Sequence, residues 1–157
     1  PEMSRGLGDV YKRQTNDSIF LNFAKDIADM IIDRVKTEDA IPYWDYDAPV
    51  TKETPRDVSA ASVTASAMIE LSTMVPDGQK YLDYAEKILK SLSSDAYLAK
   101  VGDNQGFILM HSVGSLPNGS EIDTPLNYAD YYYLEALKRF MELKKLRVEN
   151  GELRVIQ

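Results

Sequence analysis

The sequence predicts an all-α protein in which helical hairpins stack into a layered array or toroid. Three observations predict it. Helical stretches alternate in kind, one with a charged face and the next almost without charge. The alternation repeats about every sixty residues, as stacked repeats do. The connections from a charged helix to an uncharged one are long and the other is short, so one end of the array carries the elaborated surface. A four-helix bundle would need helices of similar amphipathicity, and these are unequal.

The first helix opens near Ser18. Phe20, Phe23, Ala24, Ile27, Met30, Ile31 and Val35 recur on one helix face, and Asp26, Asp29, Asp33, Arg34 and Lys36 take the other, which gives one wet side. The second, about Val58 to Met74, reads VSAASVTASAMIELSTM, with Glu70 its only charge. A helix that is small and apolar all round is buried on every side. Asp57 or Ser59 can cap it by accepting from first-turn amides. The third, about Gln79 to Leu92, sets Tyr81, Leu82, Ala85, Ile88 and Leu89 against Lys80, Asp83, Glu86 and Lys90. Pro76-Asp77-Gly78 ahead of it is a turn signal. The fourth is predicted to open at Asp123-Thr124-Pro125, a cap followed by proline at the first helical position. It stays nearly uncharged through Leu137, which predicts a second buried helix, and becomes charged from Lys138.

The two ends differ from this pattern. Residues 1–14, PEMSRGLGDVYKRQ, show neither helical spacing nor strand alternation. Asp9 to Gln14 resembles the translated end of a transposon used to prepare sequencing libraries. The leader is therefore expected to be non-native, with the natural sequence beginning near Thr15 in mid-gene and residues 15–146 forming the helical domain. Residues 147–157 read as a tail in which Asn150-Gly151 is a candidate hairpin turn.

Composition excludes several function classes. A chain of 157 residues has room for one core, and 44% hydrophobic with 27% charged residues is ordinary globular composition rather than that of a disordered chain. No apolar run approaches the roughly 20 residues that span a bilayer, so no membrane partner is expected. The formal net charge of -7 disfavours nucleic acid. The one basic cluster, Lys138 to Arg147, reads as a solvated helix tail. Without cysteine there are no disulfides and no thiolate metal sites, a composition that both cytoplasmic and periplasmic bacterial proteins show. No cofactor or metal is expected either. There is no phosphate-binding or dinucleotide-binding glycine motif, and Asp45 and Asp47 fall short of the ligand set of a calcium loop. The oligomeric state stays open.

Chemistry is to be sought in the long connections, Thr37 to Arg56 and Ala99 to Asp123. Both far exceed the usual loop of about 4–6 residues, and loops of that length are commonly functional. The first carries Ile41-Pro42-Tyr43-Trp44-Asp45-Tyr46-Asp47-Ala48-Pro49 and the chain's only tryptophan. Aromatic rings beside carboxylates suit a sugar, because a ring packs on the apolar face of a pyranose and a carboxylate accepts from its hydroxyls. The plainer alternative is a loop pinned to the core by its aromatics with the acids in water. Arg56-Asp57 reads as a cap with its ion-pair partner. In the second loop Gly106 to Leu109 suggests a short strand, followed by His111, the only histidine. With no triad partner in sequence, His111 reads as a structural hydrogen-bonding residue. Asn118-Gly119-Ser120 fits a glycosylation acceptor and, better, a turn.

Three strings together, IPYWDYDAP (41–49), RDVSAASVTASAMIEL (56–71) and HSVGSLPNGSEIDTPLNYADYYYLEALKR (111–139), resemble the C-terminal half of the unsaturated glucuronyl hydrolases, glycoside hydrolase family 88. The resemblance covers about Thr15 to Leu143. It implies an (α/α)6 barrel, of which this chain would hold about the last four helices. It implies an enzyme that removes a 4,5-unsaturated uronic acid from oligosaccharides released by polysaccharide lyases. A carboxylic acid protonates the C4–C5 double bond, water adds at C5, and the hemiketal collapses to release the sugar. In the family both catalytic aspartates lie in the N-terminal half. No catalytic role is therefore carried onto Asp45, Asp47, Asp57 or Asp123, and none of this chain's residues is expected to be catalytic. What carries over is the rim of the substrate site: Tyr43, Trp44, Arg56, His111, Ser112 and Ser115. Some relatives hold a sulfate through a Ser-x-x-Ser-x-Lys pattern. Here Ser112 and Ser115 match but Pro117 stands in place of the lysine, a departure that argues against recognition of 6-sulfated sugars and leans toward weakly sulfated or unsulfated substrates. The alternatives are an unsaturated rhamnogalacturonyl hydrolase and a non-catalytic helical binding module.

Overall fold

The computed structural model describes residues 18–149, and among them the architecture is four helices with one small hairpin. The predicted leader and the Asn150-Gly151 turn lie outside the described residues. The helices are α1 (Ser18–Arg34), α2 (Val58–Ser72), α3 (Gln79–Leu92) and α4 (Asn127–Glu149). Between α3 and α4 the antiparallel strands β1 (Ser112–Ser115) and β2 (Ser120–Thr124) form the hairpin.

Helix α2 is the axis of the packing. It lies chiefly against α3 on one side and α4 on the other, and Val58, Ala61, Ala65, Met68, Ile69 and Leu71 are all buried. Its small side chains let the neighbouring backbones approach closely, as the sequence predicts for a helix without a charged face. Two of its serine hydroxyls find partners along the way: Ser62 donates to the Ser59 carbonyl at 2.9 Å and Ser66 to Glu135 at 2.6 Å. Arg139 of α4 completes this polar seam, reaching Glu70 at 2.9 Å and the Ser66 carbonyl at 2.9 Å. Helix α1 covers α2 more loosely, across a shallow apolar groove between Ile27 and Ile31 on one side and Thr64 and Met68 on the other. It is tied to α3 by Asp29, which accepts from Tyr81 at 2.9 Å and meets Lys80 at 2.7 Å. Each fully buried large apolar side chain, such as Ile41, Met68 or Leu92, contributes about 1.5–3 kcal/mol through its transfer from water.

At one end the α2–α3 turn is short. Gly78 is buried there, and a Cβ on it would sit 2.0 Å from the Ser72 carbonyl oxygen, so only glycine allows the two backbones to meet. At the other end both long connections emerge together, and Asp39 of the first accepts from Tyr97, just ahead of the second, at 2.6 Å.

Three sequence expectations change. The fourth helix begins at Asn127. Asp123 and Thr124 belong instead to β2, where Thr124 pairs with Ser112 and Asp123 bonds His111. The extended segment anticipated at Gly106 to Leu109 is a 3-10 turn at Asn104–Gly106 followed by a lone bridge from Leu109 to Leu98, and the paired strands lie further on. The uncharged half of α4 is buried on one side only. Ala129, Tyr133 and Ala136 face the core, while Tyr131 is 61% and Leu134 52% exposed.

Candidate functional site

The two long connections meet over the N-terminus of α2, and a cleft opens between them. One wall is Tyr43, Trp44 and Tyr46 from the first connection; the other is Val113, Ser115 and Leu116 from the hairpin; Asp57 and Ala60 of α2 lie between. Backbone bonds fasten both walls at the start of α2 and fold the first connection back on itself. The Asp57 amide donates to the Pro42 carbonyl at 2.9 Å, Trp44 donates to Pro55 at 3.1 Å, and Val58 donates to the His111 carbonyl at 3.1 Å.

Asp57 caps α2 from an extended conformation at φ -120°. Its Oδ1 accepts from the Ser59 amide at 3.0 Å, the Ser59 hydroxyl at 2.6 Å and the Val113 amide at 3.2 Å. Burial pushes its carboxyl above the usual carboxylate value, and the bonds from Ser59 and Val113 offset that only in part. Asp39 shows the opposite balance. Burial pushes it up, but the bonds from Tyr97 and the Ile41 amide and the nearby Arg56 charge together hold it below the ordinary value. The same contact, added to burial, pushes the Tyr97 hydroxyl well above its usual range.

Arg56 stands behind the aromatic wall. Its guanidinium lies 4.6 Å from the Tyr43 ring centroid, pairs with Asp39 at 3.3 Å and donates to the Ile41 carbonyl. A cation against one ring face fixes the ring's orientation by attraction to its electron-rich surface. Asp45 caps its own turn by accepting from the Asp47 amide at 2.7 Å, and Asp47 takes Arg34 at 2.6 Å.

Of the six candidate rim residues, Tyr43, Trp44 and Ser115 line the cleft. Arg56 supports Tyr43 from its other side. Ser112 is fully buried, with no hydrogen-bond partner for its hydroxyl among the described residues, while Ser115 is half-buried on the cleft and accepts from Asn118 at 2.8 Å. Ser112 and Ser115 therefore do not face the cleft as a pair. His111 bonds Asp123 at 2.6 Å and sets its ring edge-on to Tyr97, with centroids 6.3 Å apart. It braces the base of the hairpin from a left-handed backbone conformation, φ 67°. The sequence reading missed Asp39 and Asp130. Asp130 holds the second connection by accepting from the Ile108 and Leu109 amides at 2.8 and 2.9 Å. An acid in the first turn of a helix was the signal available for Asp130. Asp39 had none. Among the described residues no group of three or more His, Cys, Asp or Glu could hold a metal ion, and no helix is long and apolar enough to cross a membrane.

No family model matches the sequence. The chain is 48% identical over 106 residues to an unsaturated glucuronyl hydrolase of Formosa agariphila, covering 68% of this chain and 26% of that protein. It is 31% identical over 131 residues to the unsaturated glucuronyl hydrolase of Bacillus sp. strain GL1, covering 81% and 34%. An unsaturated chondroitin disaccharide hydrolase of Streptococcus pyogenes serotype M1 is 32% identical over 107 residues, 66% of this chain and 27% of that protein. Among solved structures, an unsaturated glucuronyl hydrolase specific for heparin superposes with a TM-score of 0.85 at 57% identity, covering 88% of this chain and 38% of that one. The Bacillus sp. GL1 enzyme superposes with a TM-score of 0.77 at 28% identity, covering 92% and 37%. The chain thus spans between 26% and 34% of the length of these curated relatives.

Proposed function

We propose that this chain, which belongs with the unsaturated glucuronyl hydrolases over the length it shares with them, supplies one wall of a saccharide site in an enzyme that removes 4,5-unsaturated uronic acid from lyase-generated oligosaccharides. The observation that carries the reading is the meeting of both long connections at one cleft, where Tyr43 and Trp44 face Ser115 and Leu116. Rings of that kind stack on the apolar face of a pyranose, and the hydroxyl and backbone groups opposite can hold its polar edge. The enol-ether chemistry itself needs a protonated carboxylic acid beside C4 and a water at C5. We give that role to none of Asp45, Asp57 or Asp123, since each already serves the frame: Asp45 caps a turn, Asp57 caps α2 and Asp123 holds His111.

A relative at 57% identity is specific for heparin, so heparin-derived unsaturated disaccharides are the first substrates to test. Pro117, where other relatives carry lysine, predicts no gain from a 6-sulfate. The test is a calorimetric titration of unsaturated disaccharides into the unmodified chain and into Trp44→Ala, which lacks the chain's only tryptophan. Binding that Trp44→Ala weakens about tenfold, the loss of one ring stacking contact, supports the reading. Equal binding of the saturated counterparts would remove the case for an unsaturated uronate, and a clear preference for the 6-sulfated sugar would remove the case built on Pro117.

A further inference from the structure

We propose that Asp57 is the positioning residue that sets the width of this cleft, a role beyond capping α2. A cap needs only the bond from the Ser59 amide. Asp57 does more, because it is the point at which both walls are fastened. Its amide fixes the aromatic wall through the Pro42 carbonyl at 2.9 Å, and its Oδ1 takes the Val113 amide of the opposite wall at 3.2 Å. The hairpin is built to allow this. Its ladder is irregular between Ser112 and Val113, whose partners on β2 are Thr124 and Ile122, so Asp123 is looped out of register. A bulge of this kind interrupts the ladder and re-aims the strand, and at that bulge the Val113 amide is donated across to Asp57. The carboxylate is 4% exposed, lies on the cleft between Ala60 and Val113, and joins segments 56 residues apart in sequence. One buried oxygen therefore spaces the two walls.

The inference rests on reading the cleft as a saccharide site, and the two can fail separately. The experiment compares the unmodified chain with Asp57→Asn, which keeps an acceptor oxygen in place, and Asp57→Ser, which can cap α2 but is one bond too short to reach Val113. Three quantities are read: hydrogen exchange at the Val113 amide, affinity for a heparin-derived unsaturated disaccharide, and the thermal midpoint. Asp57→Asn should match the unmodified chain in exchange and affinity. Asp57→Ser should lower the midpoint by only a few degrees while Val113 exchanges about tenfold faster and affinity falls about fivefold, the size of one lost hydrogen bond. Unchanged exchange at Val113, or faster exchange with unchanged affinity, would overturn the proposal. Should Asp57→Ser not fold, Val113→Pro removes the donor and leaves the cap, and an affinity equal to the unmodified chain would overturn it equally. An unmodified chain that binds no disaccharide counts against the saccharide reading, and the role of Asp57 is then decided by Val113 exchange alone.

Discussion

At the scale of single residues, the end of the molecule that carries the cleft is organised by Asp39. It draws in Tyr97 at 2.6 Å, the Ile41 amide at 3.1 Å and Arg56 at 3.3 Å. Through Arg56 it also steadies the Tyr43 ring. Asp39→Ala should cost about 2 kcal/mol, as expected for several hydrogen bonds to one half-exposed charged acceptor. The more specific prediction concerns pH. Because the folded state holds Asp39 below the ordinary carboxylate value of 3.8, its contribution is complete above that value and is lost as pH falls through the lower folded one. Thermal melts of the unmodified chain and Asp39→Asn should differ near neutrality and converge in acid. A gap that stays constant with pH would count against the ion-pair account. None of this was legible in the sequence, where Asp39 is one acid in an aperiodic stretch and its partners lie up to 58 residues away. The aromatic wall was legible, because Tyr43 and Trp44 announce themselves by type in a loop too long to be a mere connection.

At the scale of elements, legibility followed locality. The bounds of α1, α2 and α3 follow from apolar spacing summed over a dozen or more residues, and distant contacts do little to move them. The start of α4 was misjudged because Asp123-Thr124-Pro125 satisfies every local rule for a cap. Two distant partners override it: His111 takes the Asp123 carboxylate and Ser112 takes Thr124 into the ladder. The turn between α2 and α3 is the strictest element. Pro76-Asp77-Gly78 marks it in sequence, but only the 2.0 Å approach of a Gly78 Cβ to the Ser72 carbonyl shows why the glycine has no substitute. Gly78→Ala must push a backbone carbonyl aside and should cost about 1–3 kcal/mol, read as a lower midpoint in urea with an unchanged slope. A midpoint equal to the unmodified chain would show that the turn has slack.

At the scale of the whole molecule, alternation of helix type was legible and the coverage of α4 was not. Its uncharged half carries Tyr131 and Leu134 outward at 61% and 52% exposure, with Met141 two turns on at 69%. On α1, Ile19 and Phe23 are likewise exposed. Contiguous apolar stripes of this kind favour association. The chain should self-associate, and Leu134→Lys with Met141→Glu should weaken that association about tenfold for each apolar side chain removed from the contact. Sedimentation velocity across a concentration series checks it, and a chain already monomeric throughout would refute it. The unequal ends of the helical array carry a further consequence. The tight Gly78 corner binds α2 and α3 into a unit with no room for a side chain at the turn, whereas the two connections at the far end are seated by a definable set of residues, the buried Ile41 and Leu109 together with Asp39, Asp57 and Asp130. Those anchors form a socket. Any pair of loops that preserves them could be exchanged as a cassette, so a recombined library at this end would change what is recognised while leaving the scaffold's melting behaviour alone.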